Sequence, residues 1–274
     1  MDKTGSYVKL RSEITDPIQL SDFRPVACDS LARLGSANDG GYVVPLKAVM
    51  AANALLSFGL SHDWTFERDF KRLNRDAIIH GYDHTVSRRT ALQFSIGQLL
   101  RFILLFRRRS LRKIFTWIDY NRFFGSEGTH FKQRVSPDNR DNSTTIDDAF
   151  SRLPEGCPVF VKMDIEGSEY LVLDDLLQHS GNVVAIAIEF HDVDTRPDLF
   201  NSLVEKIKRD FHIVHIHGNN MGGLAPFNFP KAPEITFLSK RFFSSVPPPS
   251  CSKYPIPGLD RANNPRLPEF KFEF

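Results

Sequence analysis

Acids, histidines and glycines recur in this chain where short apolar runs stop. Val159-Phe160-Val161-Lys162-Met163 ends in Asp164-Ile165-Glu166-Gly167, and Ala54-Leu55-Leu56-Ser57-Phe58 ends in Gly59. Ala77-Ile78-Ile79-His80-Gly81-Tyr82 ends at Asp83, Val183–Ile188 at Glu189-Phe190-His191, and His212-Ile213-Val214-His215-Ile216 at His217. Runs of this length, rich in β-branched residues, read as buried strands. If those strands are parallel, all five groups fall on one carboxyl edge, where open α/β sheets bind ligands. Burial alone gives no reason to end a strand in two acids, as Asp164 and Glu166 do.

Each group suggests a chemistry and has a structural alternative. Gly59 permits a tight turn and close backbone approach to a ligand. Phe58-Gly59-Leu60-Ser61-His62-Asp63 carries one glycine where a dinucleotide loop wants three, which counts against NAD and FAD. Asp83 lies 24 residues beyond Gly59 and can accept both hydroxyl hydrogens of an adenosine ribose, or cap a helix. Asp164 and Glu166 suit a sulfonium or ammonium group, or pair with Lys162 and the next helix's backbone. Asp164, Glu189 and His191 form a ligand set for a divalent cation such as Mg²⁺ or Mn²⁺. Participation of His215 or His217 would favour Zn²⁺ or Mn²⁺. His191 and His217 are general-base candidates acting beside Asp164, because imidazole titrates where a hydroxyl must be deprotonated.

Alternating strand and helix patterns predict an α/β fold with a mostly parallel central sheet. The last two strands, near 212–217 and 234–239, lack a helix between them, so that end is expected to be antiparallel. The chain divides into a leader (1–30), a main domain (31–245) and a proline-rich extended arm (246–274). Residues 129–135 read as the third strand, and Thr144 or Thr145 as a helix cap. Residues 87–124 interrupt the rhythm as a helical insertion. Within it, 99–118 interleaves apolar residues with Arg101, Arg107, Arg108, Arg109, Arg112 and Lys113. That basic amphipathic stretch suits a lid or oligomer helix, contact with an anionic membrane, or a grip on phosphate.

The length of 274 residues and 41% hydrophobic content suffice for one large core. A net charge of +2 gives no electrostatic footprint for nucleic acid. Three scattered cysteines form no metal or disulfide pattern. The first residues lack a signal-peptide pattern and no apolar run is long enough to span a bilayer, so a cytoplasmic protein, membrane-peripheral at most, is expected.

Val161-Lys162-Met163-Asp164-Ile165-Glu166-Gly167-Ser168-Glu169 resembles the "K-[IM]-D-[IV]-E-G-x-E" signature of FkbM-type S-adenosylmethionine-dependent methyltransferases. Ser143-Thr144-Thr145-Ile146-Asp147-Asp148 is similar to the "T-[IL]-D-D" that precedes it. Asn38-Asp39-Gly40-Gly41-Tyr42-Val43 and Leu56-Ser57-Phe58-Gly59 resemble motifs of one subgroup. The resemblance spans roughly residues 31–240 and implies a Rossmann-like methyltransferase fold. It further implies O-methyl transfer from S-adenosylmethionine to a hydroxyl of a sugar, glycan or natural product. Asp39, Tyr42, Gly59, Asp83, Asp164 and Glu166 would then lie on the cofactor. Two other functions fit the residues: a metal-dependent hydrolase using Asp164, Glu166, Glu189, His191 and His217, and a membrane-peripheral binding protein acting through 99–118. A homo-oligomer fits any of the three.

Overall fold

The computed structural model describes residues 7–11, 13, 16–105 and 114–274. In chain order the strands are β1 (Tyr7–Leu10), β2 (Leu31–Gly35), β3 (Gly41–Pro45), β4 (Ala54–Phe58), β5 (Ile78–Tyr82), β6 (Thr129–Phe131) and β7 (Arg134–Val135). They continue with β8 (Ser143–Thr144), β9 (Val159–Met163), β10 (Val183–Glu189), β11 (Phe211–Gly218), β12 (Pro233–Ser239) and β13 (Glu269–Phe272). The α-helices are α1 (Leu46–Ala51), α2 (Thr65–Leu73), α3 (Arg88–Leu105), α4 (Thr116–Ser126), α5 (Ile146–Ser151), α6 (Glu169–Gln178) and α7 (Pro197–Ile207).

Seven strands form the central sheet in the order β11-β12-β10-β9-β4-β5-β6. The β10–β9–β4–β5–β6 pairs are parallel, and β12 is antiparallel to both β10 and β11. Counted along the chain within this sheet, the order is 3-2-1-4-5-7-6, the Rossmann-like methyltransferase arrangement expected above. Every residue of β4, β9, β10 and β12 is buried, and the parallel strands β4, β9 and β10 accordingly read as mostly apolar runs rather than alternating ones. One face packs under α5, α6 and α7 through Ile146, Leu173 and Phe200. The other packs under α1, α2, α4 and the β2–β3 hairpin through Val44, Val49, Phe70 and Phe123.

β4 and β9 lie side by side, yet the chain leaves them toward opposite ends of the sheet. A crevice therefore opens at their carboxyl ends. The two exits are packed as closely as backbone permits. The amide of Asp164 donates to the Phe58 carbonyl at 2.9 Å. A Cβ on Gly59 would fall 1.7 Å from the Asp164 carbonyl oxygen, and Gly59 holds φ +86°. Only glycine satisfies both conditions.

The leader and the arm meet. β1 pairs in parallel with β13 in a separate two-stranded sheet. The arm is fastened to β11 through buried imidazoles. His215 Nε2 lies 3.1 Å from Asp260, and His217 Nε2 lies 2.9 Å from Glu269 Oε1. The other ring nitrogen of His217 lies 3.0 Å from Glu234 Oε2 on β12.

Two expectations change. His217 is 1% exposed and both its nitrogens are engaged by acids, so in this structure it anchors the arm and has no nitrogen free to take a proton. Burial lowers its pKa, but the charges and hydrogen bonds of Glu234 and Glu269 outweigh burial and raise it to about 10. The third strand is confined to Thr129–Phe131, because β7 leaves the central sheet to pair with β8. The insertion holds two helices: the ends of 99–118 belong to α3 and α4 and residues 114–115 form a turn, while Arg107, Arg108, Arg109, Arg112 and Lys113 lie outside the described residues. Among the described residues no helix is long and apolar enough to cross a membrane.

Replacing Gly59 with alanine is expected to destabilise the fold by at least about 2 kcal/mol, from backbone strain plus displacement of the Asp164 carbonyl, measured by urea unfolding. His217→Ala leaves Glu234 and Glu269 buried without their cation and is expected to cost about 3–5 kcal/mol. The His217 pKa is raised on folding from 6.5 to about 10. Its stabilising contribution is therefore complete below pH 6.5 and is lost progressively as pH rises to about 10. The wild-type protein should lose unfolding free energy across that window with a steeper slope than the His217→Ala variant.

Candidate cation-binding crevice

The chain leaves β9 through two successive left-handed residues, Glu166 at φ +55° and Gly167 at φ +92°, before α6 starts at Glu169. Glycine takes that conformation freely, whereas glutamate is strained there. This turn aims Asp164 and Glu166 at the same imidazole. His191 Nε2 lies 3.8 Å from Asp164 Oδ1, 3.6 Å from Glu166 Oε2 and 3.9 Å from Glu189 Oε1. The opposite ring nitrogen, Nδ1, lies 2.9 Å from Glu169 Oε1. Glu169 is fully buried, and the same oxygen accepts from the Ile165 amide at 3.0 Å. One buried acid thus fixes both the turn and the ring, as carboxylates behind metal-bound histidines do.

A second layer closes the crevice. Tyr42 Oη donates to Asp164 Oδ2 at 3.0 Å and lies 3.5 Å from Glu189 Oε2. Asn219 Nδ2 donates to Glu189 Oε1 at 2.8 Å. Burial, reinforced by the Asp164 and Glu234 charges, holds the Glu189 carboxyl well above the usual carboxylate range. Burial and the charges of Asp164, Glu189 and Glu234 push the Tyr42 phenol far up. His191 is drawn down by burial but raised more strongly by Glu169, Glu189 and Asp164, to about 9. The crevice is therefore rich in negative charge, and one protonated imidazole does not balance it.

The structure brings together Tyr42, Asp164, Glu166, Glu189 and His191 and leaves His217 with the arm. Asp39 stands one shell away. It accepts from Asn263 of the arm at 3.1 Å, and Asn263 also donates to Glu234 at 2.7 Å. Burial and the Glu234 and Asp164 charges raise the Asp39 carboxyl. Gly59 adjoins the crevice through backbone packing alone. Asp83 ends β5 as expected, but its carboxylate serves its own loops. Oδ2 accepts from the Leu60 and Ser61 amides at 3.0 and 2.8 Å, and Oδ1 from the Thr85 amide and hydroxyl at 2.7 and 2.6 Å. These bonds overcome burial and lower its pKa. The carboxylate thus ties together the loops after β4 and β5 and caps no helix.

Glu169 escaped the sequence reading because an acid in a first helical turn looks like ordinary helix-dipole compensation. Its distinguishing signal is its place in the run that begins at Asp164. The metal set also changes: Asp164, Glu166 and His191 offer ligand atoms within 4.8 Å of one another. Glu189 was expected in place of Glu166, but Asn219 and Tyr42 occupy its oxygens. Ligands about 2.1 Å from one ion stand roughly 3.0–3.4 Å apart, so the His191 nitrogen, at 3.8 and 3.6 Å from the two carboxylates, would move by about half an ångström to share one. Two carboxylate oxygens and an imidazole nitrogen suit Mg²⁺ or Mn²⁺.

No family model and no curated protein matches the chain. Among solved structures it is similar to the precorrin-6y C5,15-methyltransferase of Geobacter metallireducens GS-15, at 11% identity over 71% of this chain and 86% of that one, with TM-score 0.36. It is also similar to the fibrillarin pre-rRNA processing protein of Methanococcus jannaschii, at 9% identity over 70% and 68% of the two chains and TM-score 0.38. A chain of a fibrillarin/Nop5p complex is similar at 11% identity over 85% and 99%, with TM-score 0.37. Likenesses this distant carry no argument about activity, and the fold class rests on the strand order itself.

Proposed function

We propose that this chain is an S-adenosylmethionine-dependent methyltransferase acting on a hydroxyl of a sugar, glycan or natural product. The observation that carries the proposal is an acid-lined crevice at the switch point of a 3-2-1-4-5-7-6 sheet, where Gly59 and Asp164 meet. The resemblance of Val161–Glu169 to the FkbM-type signature supports it and supplies the acceptor class. The cofactor brings a methyl carbon already activated by its sulfonium charge. The chain's own task is to attract that cation, align an acceptor oxygen and remove its proton. Asp164, held by the Tyr42 hydroxyl, offers the carboxylate nearest the switch point. His191 already carries a proton at neutral pH, with its pKa raised to about 9, so it cannot accept another. Proton removal then falls to Glu166, whose side chain is 88% exposed.

A divalent cation fits the same residues. Asp164, Glu166 and His191 would hold it, with Glu169 fixing the ring, and it would supply Lewis acidity toward a hydroxyl. A hydrolase built on these residues has less support, because His217 is committed to Glu234 and Glu269.

Calorimetric titration with S-adenosylmethionine and S-adenosylhomocysteine, with and without Mg²⁺ or Mn²⁺, tests both parts. Micromolar binding is expected, weakened at least about tenfold in Asp164→Asn, the worth of one charge-assisted contact. Manganese uptake, followed by paramagnetic resonance, should be lost in His191→Ala. A folded sample that gives no heat with either adenosyl ligand would overturn the methyltransferase proposal.

A further inference from the structure

The helical insertion is built inside out. On α3 the residues turned into the protein are Ala91, Ser95 and Gln98, while Leu92, Ile96, Leu99 and Leu100 are exposed. A helix in water does the reverse. Spacing of four, three and one puts the four apolar side chains on a single face. α4 continues the pattern: Trp117 and Ile118 are exposed, as is Phe115 just before it. The two helices are tied together, with the Trp117 amide donating to Ser95 Oγ at 3.0 Å. Several large apolar side chains exposed together on neighbouring helices mark an interaction site.

The chemistry of the occupant comes from the other flank of α4. There, α2 and α4 enclose a groove of about 540 Å³ whose cations are Arg68, Lys71, Arg72, Arg75 and Arg122. Asp119 pairs with Arg68, and Asp69 with Arg72. Among the described residues no acid pairs with Lys71, Arg75 or Arg122. α4 thus separates a basic groove from an apolar face. Cations outnumber the acids Asp119 and Glu127 in that groove, and a second copy of this chain seated on the apolar face would leave them uncompensated. A partner both apolar and negative complements the two surfaces together.

We infer that α2, α3 and α4 form a docking face for an anionic lipid bilayer, with Ile96, Leu99, Leu100 and Trp117 entering the interface and the Arg72–Arg75–Arg122 cluster meeting the headgroups. Basic residues near an anionic surface and apolar residues at the acyl boundary contribute separately to such binding. The inference stands apart from the methyl-transfer proposal, since none of these residues lines the crevice.

The test uses the whole chain with phosphatidylcholine vesicles and with phosphatidylcholine–phosphatidylserine vesicles. The chain has two tryptophans and Trp64 is buried, so a blue shift on vesicle addition reports Trp117. The expected result is co-sedimentation and a blue shift with the anionic vesicles only, weakened by salt. The combined Arg72→Glu, Arg75→Glu and Arg122→Glu variant should lower affinity on the order of a hundredfold. Ile96→Asp with Leu100→Asp should lower it at least about tenfold. Circular dichroism matching the wild type shows that each variant is folded. Binding of anionic vesicles by the apolar variant at wild-type strength, or equal binding of an RNA oligomer by both proteins, would identify a general polyanion groove and overturn the proposal. So would a dimer in solution that Ile96→Asp with Leu100→Asp dissociates, or no vesicle binding by the wild-type protein.

Discussion

The seam between β4 and β9 governs this molecule. A parallel sheet that winds outward from its middle needs two adjacent strands whose exits diverge, and here the exits touch at Gly59 and Asp164. A side chain at position 59 would force the Asp164 carbonyl away and open the ladder. With the contact intact, the turn through Glu166 and Gly167 has a fixed origin, and α6 begins where Glu169 can reach His191. The crevice owes its shape to backbone packing first and to side chains second.

Its electrostatics follow a different rule. Glu189 on β10 sits directly opposite Glu234 on β12, and Glu234 sits opposite His217 on β11. Like charges opposed across a sheet repel. The His217 imidazolium hydrogen-bonds Glu234, while Glu189 takes hydrogen bonds from the neutral Asn219 and Tyr42 and has the His191 imidazolium 3.9 Å away. Asp164, Glu166 and Glu169 also draw on His191, so the charge deficit faces the crevice. A site that must attract a cation is served by that asymmetry.

Much of this was legible in the chain. Uninterrupted apolar runs located the strands, and the acids at their ends located the crevice, because a buried parallel strand has a simple pattern. Asp164, Glu166, Glu189 and His191 are marked in the chain by the ends of their apolar runs, and Tyr42 by the glycine turn before it. The errors share one cause. Whether a histidine is a base or an anchor depends on acids far away in the chain, and Glu234 and Glu269 lie 17 and 52 residues from His217. No local pattern records such a pairing. Asp83 was ambiguous for a related reason: its partners are backbone amides, which every sequence possesses. The inverted face of α3 is equally hidden, since periodicity reveals that a helix is two-sided but not which side turns inward.

The shared imidazolium has one more consequence. Because His217 of β11 serves Glu234 and Glu269 together, lifting the arm would take Glu269 away and leave the imidazolium to Glu234 alone. The docked arm therefore adds one acid to the group behind the crevice. Arm and crevice share one charge ledger: the docked arm raises the crevice's appetite for positive charge, and by reciprocity a cation in the crevice tightens the hold on the arm.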